Sequence, residues 1–186
     1  MSVRQAQPSD VHEVIPLLLS AIGDIGQMLA GTTDHAQMLD TLGQFFTQSG
    51  NRLSYENVYV LEREHQIAGF FLAYHGHDIA ALDAPIIAQL REKGRSGDEV
   101  VPEARPNEYY LDSIAVSPNY QGQGIGTLLI AEFEQIARQL NHERLLLIVD
   151  LDNVRARALY ERLGYTEDGS IEISSHLYDR MIKLLT

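Results

Sequence analysis

Residues 121–127 read Gln-Gly-Gln-Gly-Ile-Gly-Thr, and no other segment constrains the chain as tightly. The segment follows a strand-like run, Tyr109 to Val116. It opens a helical stretch, Gly124 to Leu140, in which Ile125, Leu128, Leu129, Phe133, Ile136, Ala137 and Leu140 fall on one face. A strand, a glycine turn and an amphipathic helix in that order belong to an α/β layer. Glycines let the backbone turn tightly and aim several N–H groups one way, and a helix N-terminus adds the positive end of its dipole. A phosphate or pyrophosphate site satisfies this pattern, and so does a plain glycine-rich turn. Two familiar phosphate loops fail. A P-loop needs a lysine that is absent, and the dinucleotide fingerprint needs glycine where Thr127 stands.

The remaining segments complete a single sheet. Val3 to Ala6 reads as a strand, and Pro8-Ser9-Asp10 as a helix start. The helix that follows carries Pro16, which should kink it, and is loosened or ended by Gly23, Gly26 and Gly31. Asp34 to Gln48 is a second helix. Val58 to Glu62 and Gln66 to Tyr74 form a hairpin across Arg63-Glu64-His65. Asp78 to Lys93 is helical, with Pro85 counting against one unbroken helix, and Gly94 to Pro106 is a loop. Arg144 to Val149 is apolar enough for a buried strand. Asn153 caps a helix that Gly164 ends, and Tyr165 to Ile173 and His176 to Leu184 are closing strands. The chain is one α/β domain, residues 1–186, with a helix and loop inserted at about 76–107.

Composition removes several functions. With 14 Lys and Arg against 26 Asp and Glu, the net charge of -12 disfavours nucleic acid and anionic membrane surfaces and leans towards a cationic substrate. The absence of cysteine excludes disulfides, thiolate nucleophiles and cysteine zinc sites. The N-terminus has no basic start followed by an apolar stretch, so a cytoplasmic location is the expectation.

Gln121, Gly124 and Gly126 satisfy the pattern Gln/Arg-x-x-Gly-x-Gly/Ala. Together with Leu111 to Tyr120 upstream, and with Asn153 to Ala156, Leu159-Tyr160 and Gly164-Tyr165 downstream, they resemble the GNAT acetyltransferase superfamily. The specific likeness covers residues 109–165, about a third of the chain, and the element order fits over nearly all of it. The resemblance implies a mixed, mostly antiparallel sheet of about seven strands flanked by helices. It also implies acetyl-CoA as co-substrate, with no metal. Backbone groups of Ile114, Ala115 and Val116 would meet the pantetheine arm as an added strand. Backbone N–H groups of Gln121, Gly122, Gln123, Gly124, Ile125, Gly126 and Thr127 would hold the pyrophosphate. The strands from Tyr109 and Arg144 would splay to admit the thioester. Asn153, with Ala156 beside it, would contact the cofactor across that slot. Tyr160 would stand near the sulfur as general acid.

A phenol in that position suits the chemistry, because the leaving thiolate needs a proton. Tyr160 could equally pack a helix on the sheet; the surrounding Asn153, Leu159 and Gly164 favour the acid. Asp112 is the candidate base, directly or through water, although one residue of register decides which face it takes. Glu108, Tyr109 and Tyr110 are alternatives. The family often has Arg at the position of Gln121, and this loop carries no positive charge; Arg155 and Arg157 could compensate or could simply be solvated. His75, His77 and Asp78 superficially suggest a metal but read better as loop chemistry. His176 could face the slot. The insertion is expected to help form the acceptor pocket. The reaction implied is direct acetyl transfer to an amine of a small molecule or peptide. A non-catalytic acyl-CoA-binding module on the same fold is the alternative, and a homodimer is a further expectation.

Overall fold

The computed structural model describes residues 2–185. Its strands are β1 (Ser2–Gln5), β2 (Val58–Arg63), β3 (Gln66–His75), β4 (Tyr109–Val116), β5 (Arg144–Asp150), β6 (Thr166–Ile173) and β7 (His176–Leu184). Its helices are α1 (Val11–Ile22), α2 (Asp24–Ala30), α3 (His35–Thr47), α4 (Ile79–Glu92), α5 (Ile125–Gln139) and α6 (Val154–Arg162). One seven-stranded sheet runs in the order β1-β2-β3-β4-β5-β7-β6. Every neighbouring pair is antiparallel except β4 with β5. The mixed, mostly antiparallel sheet flanked by helices is therefore as expected.

The turn between β2 and β3 shows why the hairpin forms. Glu64 and His65 both have positive φ, 53° and 64°, a mirror-image turn whose twist matches that of paired strands. Alternation along the strands then builds two cores. Phe70, Tyr110 and Leu146 point to one face, where Val14, Leu18, Leu42, Phe46, Ile86 and Leu90 cover them. Phe71, Leu111, Leu145 and Leu147 point to the other, against Ile125, Leu129, Phe133 and Tyr160.

Two expectations change. The helix broken at Gly23, where φ is 51°, becomes α1 and α2, but α4 runs unbroken through Pro85. Pro85 lies on the exposed side, where its ring meets solvent rather than the sheet. The segment at 76–107 is also no appendage. Ile79, Ile86, Leu90, Val100 and Ala104 are buried in the first core.

The feature that positions the site lies at the centre of the sheet. β4 and β5 pair only at Tyr109–Leu145, Tyr110–Leu146 and Leu111–Leu147. Beyond these positions β4 stays paired with β3 as far as Val116, and β5 with β7 as far as Asp150. From Asp112 and Ile148 onward each strand keeps only its outer neighbour, and a wedge opens between them.

Candidate active site

The wedge holds a cleft of about 420 Å³. Leu111 to Ile114 form one wall and Leu147 to Asp150 the other, with Asn153, Ala156 and Tyr160 of α6 beside them. The α1–α2 connection around Asp24 and the end of the sheet at His176 and Tyr178 close the remaining sides. Past Leu111 the β5-facing backbone of Ser113, Ile114, Ala115 and Val116 has no strand to pair with. An extended ligand arm can take that place.

At the end of β4 the chain enters the glycine loop. Gly122 and Gly124 adopt φ of 74° and 78°, in the left-handed region where a side chain is strained, although a Cβ at either would meet nothing within 4 Å. The first backbone bond of α5 is Leu128 N to Gly124 O at 3.1 Å. The N–H groups of Ile125, Gly126 and Thr127 precede it and have no helical acceptor. Gln121, Gly122, Gln123, Gly124 and Thr127 are exposed, and the Ile125 side chain is buried, so Ile125 offers only its backbone. The Gln121 side chain donates to Val116 O at 3.3 Å, tying the loop to the strand. This is a backbone anion cradle without a cation of its own.

Asn153 caps α6 as expected, accepting from Ala156 N at 3.1 Å through Oδ1. Its amide N–H groups are not used by the cap and are available to the cleft. Tyr160 is 8% exposed, with its ring edge-on to Tyr165 at 6.1 Å. Burial pushes its hydroxyl up to about 12, so it keeps its proton at neutral pH. A phenol that stays protonated on a cleft wall can donate that proton to a developing anion.

Asp112 also lines the cleft, but its carboxylate is heavily engaged. Oδ2 accepts from Arg52 Nη2 and from Tyr74 Oη, both at 2.5 Å, and Oδ1 accepts from Ser113 Oγ at 2.7 Å. Arg52, 2% exposed, also donates to Glu103 at 2.8 Å and lies 3.4 Å from Asp83, without hydrogen-bond geometry to the latter. Tyr110 donates to Glu103. One guanidinium thus faces three carboxyl groups. Burial, opposed by Arg52 and reinforced by Glu103 and Asp112, pushes Asp83 up to about 6. Sequence reasoning missed Arg52, Tyr74, Asp83 and Glu103. Nothing in their local spacing announces them, because they meet across as many as 60 residues of chain.

The alternatives to Asp112 lie elsewhere. Glu108 is fully buried, and burial is outweighed by the Arg105 backbone N–H at 2.7 Å, by Arg180, which donates to both oxygens at 2.8 Å, and by Arg144, which together hold it below the usual carboxylate range. Tyr110 is enclosed in the first core. Tyr109 is stacked between Phe133 and His142 at 5.2 and 4.5 Å. Arg157 is committed to Asp179, Glu167 and Glu161, away from the loop, so it supplies no cation there. Arg155 is exposed. His75 stacks on His142 at 4.6 Å, and among the described residues no group of three His, Asp or Glu side chains is arranged to hold a metal. His176 lies on the cleft wall. No residue of the 76–107 segment lines this cleft. Arg95, Glu99 and Val101 line a neighbouring hollow of about 740 Å³ that shares Asp24 and Ser174 with it.

The comparisons with known proteins agree with this geometry. A sequence model of the acetyltransferase (GNAT) family matches residues 32–165. A mycothiol acetyltransferase of Beutenbergia cavernae is 39% identical over 66 residues, 36% of this chain and 22% of its own length. The [ribosomal protein bS18]-alanine N-acetyltransferase of Escherichia coli is 34% identical over 79 residues, 42% of this chain and 53% of its own. The chain thus spans at most about half the length of these curated relatives. An N-acetyltransferase from Staphylococcus aureus superposes with a TM-score of 0.84 and 26% identity, over 98% of this chain and all of that one. The chain belongs to the acetyltransferase (GNAT) family.

Proposed function

We propose that this protein transfers an acetyl group from acetyl-CoA to a primary amine of a small molecule or peptide, by direct transfer in a ternary complex. The observation that carries the proposal is the parting of β4 and β5 after Leu111–Leu147. It leaves an unpaired strand edge that runs from the start of the glycine loop into the cleft that Tyr160 lines. The unpaired edge suits the amides of a pantetheine arm, the cradle suits a pyrophosphate, and Tyr160 suits the sulfur. In this reading the amine nitrogen attacks the thioester carbonyl and a C–N bond forms. The C–S bond then breaks, the departing sulfur takes the Tyr160 proton, and the proton that the nitrogen sheds in becoming an amide passes through water to the Tyr160 oxygen and restores the phenol. No cysteine exists to carry the acyl group between two half-reactions.

The acceptor side favours a cationic amine. Asp24, Asp112 and Asp150 all line the cleft. The half-buried Tyr178 among them is raised by burial first and then by Asp150, Glu103 and Asp24. With its lone pairs engaged by Arg52, Tyr74 and Ser113, Asp112 is better suited to attract an ammonium, or to act through water, than to take a proton directly.

Calorimetric titration of acetyl-CoA into wild type and Gly124→Glu tests the reading. The variant adds a carboxylate side chain at the loop at a strained φ, with no protein atom within 4 Å of its Cβ. Binding by wild type and none by a folded variant supports the proposal. Failure of wild type to bind any acyl-CoA ends it.

A further inference from the structure

The glycine loop has no cationic side chain, and the chain carries a net charge of -12. A polyphosphate ligand would therefore approach an unfavourable field, with only backbone dipoles to receive it. Among the described residues the structure supplies one cation, from the opposite side of the loop. Arg63, the last residue of β2, donates from Nη1 to Gln123 Oε1 at 2.6 Å. Its guanidinium lies 5.7 Å from the centroid of the Tyr120 ring. Tyr120 in turn donates to Gln66 Oε1 at 3.0 Å, so the hairpin and the loop are stitched at two points. Among the described residues, Arg63 is the only lysine or arginine hydrogen-bonded to residues 121–127.

We propose that Arg63 is the cation that neutralises the phosphates of CoA at this loop, supplied by the β2–β3 hairpin in place of a basic residue within the loop. The inference rests on the acetyl-CoA reading and assigns it a residue 60 positions before Gln123. The geometry explains how this is achieved. β3 pairs antiparallel with β4, with Gly69 opposite Val116, so the hairpin tip must end beside the start of the glycine loop. The turn at Glu64 and His65 brings the end of β2 to the same place. The guanidinium is poised rather than spent. Its side chain is 37% exposed, its one carboxylate neighbour is Glu64 at 3.8 Å, and Glu64 is itself 78% exposed and easily displaced. Gln123 accepts only one of its N–H groups, and the planar fork retains donors for a phosphate.

The test is calorimetric titration of wild type, Arg63→Gln and Arg63→Lys with CoA, dephospho-CoA and S-acetyl-pantetheine, at low and high salt. Arg63→Gln should weaken CoA roughly tenfold at low salt and less at high salt, while Arg63→Lys retains most of the affinity. S-acetyl-pantetheine, which lacks phosphate, should bind all three proteins alike. An equal loss for CoA and dephospho-CoA places the charge on the pyrophosphate. A loss confined to CoA places it on the ribose phosphate, and either result supports the proposal. Equal CoA binding by wild type and Arg63→Gln overturns it. So does an equal loss of S-acetyl-pantetheine, or a loss insensitive to salt, because either means that Arg63 only braces the loop. If wild type binds no CoA, the acetyl-CoA reading fails and takes this inference with it.

Discussion

At the scale of single residues, the site separates a buried phenol, Tyr160, from a charge cluster around Arg52. Tyr160 is raised to about 12 by burial alone, so it is protonated at neutral and mildly alkaline pH. Tyr160→Phe should lower kcat by roughly a hundredfold or more while acetyl-CoA affinity, measured by calorimetry, stays within about twofold. The pH–rate profile of wild type should show no alkaline limb from this group until pH approaches about 12. Asp83 behaves in the opposite sense from an ordinary paired acid. Its carboxyl is raised from 3.8 to about 6, so the folded state holds the proton more tightly than the unfolded one. Stability linked to this group is therefore greatest at low pH. It falls as pH rises from about 4 to about 6, by roughly 3 kcal/mol. Asp83→Asn removes that loss while keeping an oxygen towards Arg52. Urea unfolding should show the variant gaining on wild type at about pH 8 and gaining little at about pH 4. Equal destabilisation at both pH values would show instead that Arg52 requires the Asp83 charge.

At the scale of elements, α4 and the loop after it couple the core to the cleft. Ile86 and Leu90 are buried on one side of the helix, and Asp83 reaches the Arg52 cluster from the same helix. The segment at 76–107 acts on the site through Asp83 and Glu103 rather than by lining the cleft. Removing it would uncover the first core, so a deletion cannot isolate a role in acceptor binding. A milder change tests the helix. Pro85 lacks the N–H that Ala81 O would accept, and its ring is exposed. Pro85→Ala should raise stability by about 1–2 kcal/mol, the restored helical bond outweighing the added freedom of the unfolded chain. Chemical denaturation measures this directly, and a loss of stability would mean that the proline ring is packed rather than solvated.

At the scale of the molecule, the cleft lies where the sheet fails to close, so ligand binding should stabilise the whole fold. At a hundredfold excess over Kd, acetyl-CoA should add about 2.7 kcal/mol. For a chain of this length that corresponds to a rise in Tm of roughly 5–10 °C in a thermal melt, and an unchanged Tm at saturation would contradict binding to the folded state. A homodimer remains a proposal for sedimentation analysis. β6 is one free edge of the sheet, and its exposed Glu172 would oppose pairing with a second acidic copy.

What could be read without the fold is what depends on near neighbours in the chain. The glycine turn, the apolar stripe of α5, the Asn153 cap and the hairpin at Glu64-His65 are each written within a few residues, because helical bonds and tight turns reach no further. The family pattern added Tyr160 and the expected parting of two strands, which the pairing of β4 with β5 displays. Three other features needed the chain to be folded. Pro85 sits harmlessly in α4 because of the face it occupies, which a helix rule cannot know. Arg52 meets Asp83, Glu103 and Asp112 because the segment after α3, the helix α4, the loop that follows it and β4 converge on one core, and this pins the carboxyl group of a candidate base. Arg63 reaches Gln123 because antiparallel pairing lays a hairpin tip beside a distant loop. Electrostatic interactions act over ångströms of space and not over sequence separation, so the distribution of charge around this site was set by the packing of the sheet.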